Sequence, residues 1–188
     1  PKGRIQYVHA DVSVDDFKHF NGSNYQKGVD GSFGIQTRDQ QNFSISRESR
    51  RYDTAYDNVT TVNYHFHPND RFNQFGIGHA WGERQGSKYA LTRAVMSRRV
   101  LRKIDAGLQY TVQDFNGKYE QYVFTGSYEI DDHRSISARA VRTGDKWNPY
   151  IAYRNSGKKG NELFVIFGDP NADSFKSRLV VKYVMPLG

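Results

Sequence analysis

The 188-residue chain contains no cysteine, which excludes disulfides and thiolate metal sites. It has no long apolar run either. Nothing approaches the roughly 20 consecutive apolar residues that a spanning helix needs, and mean hydropathy is −0.80. A helical membrane protein is therefore excluded. No linker, low-complexity stretch or fixed-length repeat is present, and no segment is convincingly helical. The chain opens Pro1-Lys2-Gly3-Arg4, without a methionine or the apolar segment of a signal peptide. Because a strand pattern starts at Arg4, the expectation is the C-terminal portion of a longer protein.

Aromatic residues, by contrast, are plentiful at 14%, with 13 Tyr and 12 Phe. They favour strands, and in membrane barrels they form girdles at both interfaces. Net charge is +7. The basic clusters Arg50-Arg51, Arg98-Arg99 and Arg102-Lys103 fall near expected strand ends. That placement suits a solvated surface or anionic lipid headgroups better than nucleic acid, which would want cations and aromatics together on one face.

Alternation of apolar and polar residues runs through the chain. Expected strands are Arg4–Val14, Gly28–Thr37, Asn42–Glu48, Tyr56–His67, Phe72–Trp81, Lys88–Met96, Val100–Phe115 and Tyr119–Ile130. Asp15–Gln26 reads as a polar loop, and Ser97-Arg98-Arg99 as a turn. Lys88–Met96 has partial helical spacing but reads as a strand between strands. Asn116-Gly117 is a hairpin signal. The stretch Tyr119–Leu187 holds five short alternating segments, closed by Asp131-Asp132, Thr143-Gly144-Asp145, Asn155-Ser156-Gly157 and Gly168-Asp169-Pro170-Asn171. Together these give an all-β, antiparallel up-and-down meander of about twelve strands in one domain. Gly76, Gly78, Ala80 and Gly82 share one face of their strand, which predicts close approach of another element or sharp curvature.

Both a soluble sandwich and a membrane barrel alternate in this way. Three features favour a partial or complete transmembrane β-barrel. The apolar face carries Tyr64, Phe66, Phe75, Tyr119, Tyr150 and Tyr183, together with the expected interface anchors Trp81, Trp147, Tyr122 and Tyr128. The opposite face carries His65, His67, Gln109, Gln113, Gln121 and Glu129, the expected lumen-facing binding residues, with Asn63, Arg139 and Lys182. The strands also have the roughly 9–11 residues that a tilted crossing needs. Arg142, Arg154 and Lys88 intrude on the apolar face.

The closing stretch TGDKWNPYIAYRNSGKKGNELFVIFGDPNADSFKSRLVVKYVMPL resembles the end of bacterial outer-membrane barrels of the DUF5916 type, most clearly over Trp147–Leu187. In that family a Leu-Phe-Val-Ile-Phe strand precedes a loop and a Val-Val-Lys-Tyr-like final strand. The resemblance implies a C-terminal barrel behind a carbohydrate-binding-like sandwich, and it brings no catalytic motif. The ending Met185-Pro186-Leu187-Gly188 departs from the aromatic last residue usual in outer-membrane barrels.

Chemistry is sparse. His65 and His67, two apart on a strand, could share a metal with Asp57 or Glu83, but solvated histidines are the simpler reading. No nucleophile elbow or His-x-Ser-Asn-Gly cluster supports a barrel hydrolase. Gly168–Asp173 lacks EF-hand spacing and reads as an Asp-Pro turn. No metal or cofactor is expected, and the Asn-x-Ser/Thr triplets at Asn21, Asn42 and Asn58 are chance matches in a bacterial protein. The sequence thus points to an outer-membrane barrel with a structural, anchoring or passive-transport role, its partner the lipid bilayer. The alternative is a secreted all-β module that binds carbohydrate, with Trp81 and Trp147 as stacking platforms, or binds an upstream domain or partner protein.

Overall fold

The computed structural model describes residues 4–18, 24–52, 55–157 and 160–185. Pro1-Lys2-Gly3, the middle of the expected polar loop (residues 19–23) and Pro186-Leu187-Gly188 lie outside them. The described residues form no helix. They form β1 (Ile5–Lys18), β2 (Asn24–Thr37), β3 (Gln41–Tyr52), β4 (Tyr56–Phe66), β5 (Asn73–Arg84), β6 (Ser87–Leu101), β7 (Ile104–Asp114), β8 (Lys118–Glu129), β9 (Arg134–Thr143), β10 (Lys146–Ser156), β11 (Glu162–Phe167) and β12 (Leu179–Val184). One 12-stranded sheet takes them in sequence order, so the up-and-down antiparallel meander holds. Tight turns make this possible. Gln85-Gly86 and Asn116-Gly117 both take positive φ at two successive residues, as two-residue hairpin turns require.

The chain divides into two units. The first comprises Pro1–Asp70, Gln74–Val95 and Thr111–Tyr119, the second Arg71–Asn73, Met96–Tyr110 and Glu120–Gly188. In the first unit, register places like with like. Phe33 stands opposite Ile45, Phe43 opposite Tyr64, Ile45 opposite Val62 and Tyr64 opposite Ile77. On the other face Ser32 stands opposite Ser46, Ser44 opposite Asn63 and Asn63 opposite Gly78. In the second unit Phe124 meets Ala140, Ala138 meets Ile151, and Phe167 meets both Ile151 and Leu179. Behind them Thr125 meets Arg139 and Ser127 meets Ser137.

Burial runs against the usual soluble pattern. The apolar face is exposed: Ile45 is 39% accessible, Ile77 42%, Ile151 46% and Val181 62%. The polar side holds the buried residues, with Val59, Ala80 and Tyr89 packed together in the first unit and Val123 and Asn148 buried in the second. Along β3 the exposed residues are Phe43 and Ile45, followed on the same side by Arg47, Ser49 and Arg51 toward the strand end, while Ser44, Ser46, Glu48 and Arg50 are half-buried.

Several sequence expectations change. Most of Asp15–Gln26 is strand, because β1 continues to Lys18 and β2 starts at Asn24. Its charges signalled a loop, yet Asp15 lies on the polar face, where an ion pair holds it. Ser97-Arg98-Arg99 is strand as well. The turn lies at Arg102-Lys103, so Val100–Phe115 is the end of β6 followed by β7. Asn155 and Ser156 belong to β10 rather than to a turn. Tyr150 pairs with Arg139 and Arg154 with Ser135, which puts both on the polar face rather than the apolar one. Tyr119 alternates with the apolar-face Tyr122 and Phe124 and shares its side with Gln121.

Candidate functional site

Two arginine-centred clusters organise the polar face. In the first unit the Arg50 guanidinium is bonded to Asp30 and lies 3.4 Å from both Asp15 and Glu48. Three strands, β1, β2 and β3, contribute nothing apolar here: the hollow of about 360 Å³ beside the cluster is lined by Asp11, Ser13, Ser32 and Ser46 as well as ion-paired groups. In the second unit Arg99 donates to Asp105 through Nε at 2.7 Å and to Glu129 through Nη2 at 3.2 Å. Ser127 donates to Asp105, and the Arg99 guanidinium sits 3.9 Å from the Phe72 ring centre. Arg99 thus explains why two adjacent basic residues belong to a strand: one of the pair is needed across the polar face.

Glycines make room for the longer polar side chains. A Cβ on Gly76 would stand 2.6 Å from the His65 ring, and one on Gly28 would stand 2.7 Å from Arg50 Cγ. Gly34 and Gly78 likewise lie under the His9 ring and the Asn63 amide. Gly82, at φ 143°, meets the Asn58 carbonyl. The close approach expected of the Gly-Ala face is therefore made by side chains and backbone of the adjacent strand β4, with Tyr89 covering Ala80.

The expected binding residues do not converge. His65 lies over Gly76, but His67 falls beyond β4, in a turn at φ 49°, with its ring stacked on Phe66 at 4.0 Å. The two histidines therefore do not share a strand face. Asp57 accepts the Gln85 amide, and Glu83 accepts the Tyr56 hydroxyl, so neither is turned to a common site with His65. Among the described residues no group of three or more His, Asp or Glu is placed to hold a metal ion. Gln121 bonds Thr143 and Glu129 joins the Arg99 cluster, while Gln109 and Gln113 follow Asp105 and Thr111 on the polar side of β7. Gly168–Asp173 is an Asx-type turn in which Asp169 accepts the Asn171 amide.

The aromatic anchors do form a pattern. In the second unit a row of rings crosses the strands. Tyr110 lies 4.8 Å from Tyr122, Tyr122 6.4 Å from Phe124, and Phe124 6.0 Å from Trp147. The Tyr110 and Tyr122 hydroxyls both donate to Glu120. Arg142 lies 5.9 Å from the Tyr122 and Trp147 ring centres and donates to the Gly144 carbonyl. In the first unit Trp81 stacks on His79 at 5.4 Å and borders a hollow shared with Arg47, Asn58, Glu83 and Lys88. Tyr128 faces Ile136 in the apolar band. The intruding cations Arg142 and Lys88 thus sit beside aromatic anchors.

Comparison with protein-family models, curated proteins and solved structures gave no match.

Proposed function

We propose that this chain is a transmembrane β-barrel segment of the bacterial outer membrane. Its apolar face meets hydrocarbon, its polar face lines the lumen, and its role is anchoring or passive transport rather than catalysis. The inverted burial carries this reading. A soluble sandwich covers its apolar face, and soluble monomers rarely expose contiguous apolar patches beyond a few hundred Å². Here the polar face carries the ion-pair clusters of Arg50 and Arg99, while Ile45, Ile77, Ile151 and Val181 stand uncovered on the other. The row Tyr110–Tyr122–Phe124–Trp147, with Arg142 beside it, has the composition of an interfacial girdle. The resemblance of Trp147–Leu187 to DUF5916-type barrels accords with it.

The test is extraction and gel migration. The protein is expected to require detergent for dispersal and to migrate differently on a denaturing gel before and after heating. A monodisperse preparation in plain buffer would overturn the membrane reading and favour the secreted binding module.

A further inference from the structure

One part of the apolar face is hollowed. In the second unit Gly126, Ala138, Ala140 and Pro149 form a floor of small residues across β8, β9 and β10, where Gly126 pairs with Ala138 and Ala140 with Pro149. Phe124, Ile151, Phe167 and Phe175 rise around it, and the space between them is about 610 Å³. Its lining on this face is apolar throughout.

The last wall is a built feature. Phe175 belongs to the loop between β11 and β12, whose base is closed by the Gly168 amide donating to the Arg178 carbonyl at 2.8 Å. The Phe175 amide donates to the Trp147 carbonyl at 2.7 Å, and the buried Asn148 amide donates to the Asp169 and Ala172 carbonyls at 2.9 and 2.6 Å. Gly168, at φ 102°, packs directly on Pro149 and Tyr150, where a side chain would not fit. Three ties to β10 therefore hold the loop so that Phe175 closes the hollow beside Phe167, 6.1 Å from it.

One end of the hollow is cationic. Arg142 stands two residues from Ala140 along β9, at the strand end, exposed between Tyr122 and Trp147. It makes no ion pair among the described residues; its one hydrogen bond is to the Gly144 carbonyl. Exposed Lys176 follows Phe175 on the loop, whereas Lys146 pairs with Thr143 and takes the polar face. Asp145 and Asp173 are the nearby acids in sequence, and Glu120 lies on the same face as Arg142, with its carboxylate engaged by the Tyr122 hydroxyl.

We propose that this hollow holds one acyl chain of a resident anionic phospholipid, whose phosphate is met by Arg142. The proposal rests on the bilayer reading and specifies which lipid that face retains. Hydrocarbon replaces contact that the small floor residues cannot make with each other. A guanidinium beside interfacial aromatics supplies charge-assisted donors at headgroup depth.

Native mass spectrometry of detergent-purified protein tests it, with phosphatidylglycerol and phosphatidylcholine added in equal amounts. Wild type should retain phosphatidylglycerol preferentially, by about fivefold, the factor that one near-surface cation supplies. Arg142→Gln should abolish the preference while leaving some lipid bound. Ala138→Leu and Ala140→Leu, which fill the floor, should each lower retention of both lipids by about tenfold, since every displaced methylene counts about fourfold. Heat-modifiable migration identical to wild type shows that each variant is folded. Equal retention of the two lipids by wild type, or filled-floor variants that retain lipid as wild type does, would leave only unspecific annular lipid and sink the proposal while the membrane reading stands. A protein that is monodisperse without detergent and retains neither lipid would overturn both.

Discussion

Single side chains on the polar face act as junctions. Arg50 alone gathers carboxylates from β1, β2 and β3, and Arg99 gathers Asp105 from β7 and Glu129 from β8. A single residue also organises the turn after β8. Asp131 Oδ1 accepts the amides of His133 and Arg134 at 2.9 and 2.8 Å, and Oδ2 accepts Arg134 Nε at 2.7 Å. The Arg134 guanidinium first, and the two amides with it, hold the Asp131 carboxyl down to about 2 from its ordinary 3.8. Its folded pKa lies below its unfolded one, so the carboxylate's contribution is complete above the unfolded value. It is lost as pH falls through about 2. An NMR titration should therefore show the His133 and Arg134 amide shifts moving with a midpoint near 2. A midpoint at the ordinary carboxylate value would mean that the turn is not held this way in solution.

At the scale of strands, the pairing of a long polar side chain with a glycine on the next strand is the recurring device. His65 over Gly76 is one instance and His9 over Gly34 another. Gly76→Ala should destabilise the protein by about 1–3 kcal/mol, the usual cost of overpacking. Adding His65→Ala should restore most of that, because the crowding atom is gone. Urea unfolding in micelles measures both. Costs that simply add would show that the two residues are not coupled. The sequence carried the glycine face but not its occupant, because alternation reveals which side a residue takes and not which neighbour fills the space. The same limit explains the misread segments. Asp15–Gln26 and Ser97–Arg99 look like loop and turn because they are charged. Asp15–Lys18, Asn24–Gln26 and Ser97–Arg99 are strand, and Arg50 and Arg99 stand on the polar side with acids to meet them. Residue type alone assigns Tyr150 and Arg154 to the apolar face, whereas their register partners Arg139 and Ser135 put them on the polar one. The meander itself was legible from alternation and turn residues. The clusters were not, since they need register between strands far apart in sequence.

For the molecule as a whole, the two faces should respond oppositely to charge. Ile45 and Ser46 are adjacent on β3, one exposed on the apolar face and the other half-buried on the polar face. In a bilayer, Ile45→Arg should cost about 2–4 kcal/mol if Ile45 lies near midplane, while Ser46→Arg should cost much less. Unfolding titrations in lipid vesicles give the comparison. A tolerated Ile45→Arg beside a damaging Ser46→Arg would place the apolar face in water and refute the barrel reading.

The order of the sheet has a bearing on how such a chain is made. Each strand is bonded to the one before it and the one after it in sequence. No strand has to wait for a distant partner, and each ring closed during assembly is a short one, which keeps its entropy cost low. The sheet can therefore grow hairpin by hairpin, and at every stage only two strands, β1 and the newest, offer an open row of amides and carbonyls. A holdase that shields these two ribbon edges and the greasy side would suffice to escort the growing sheet.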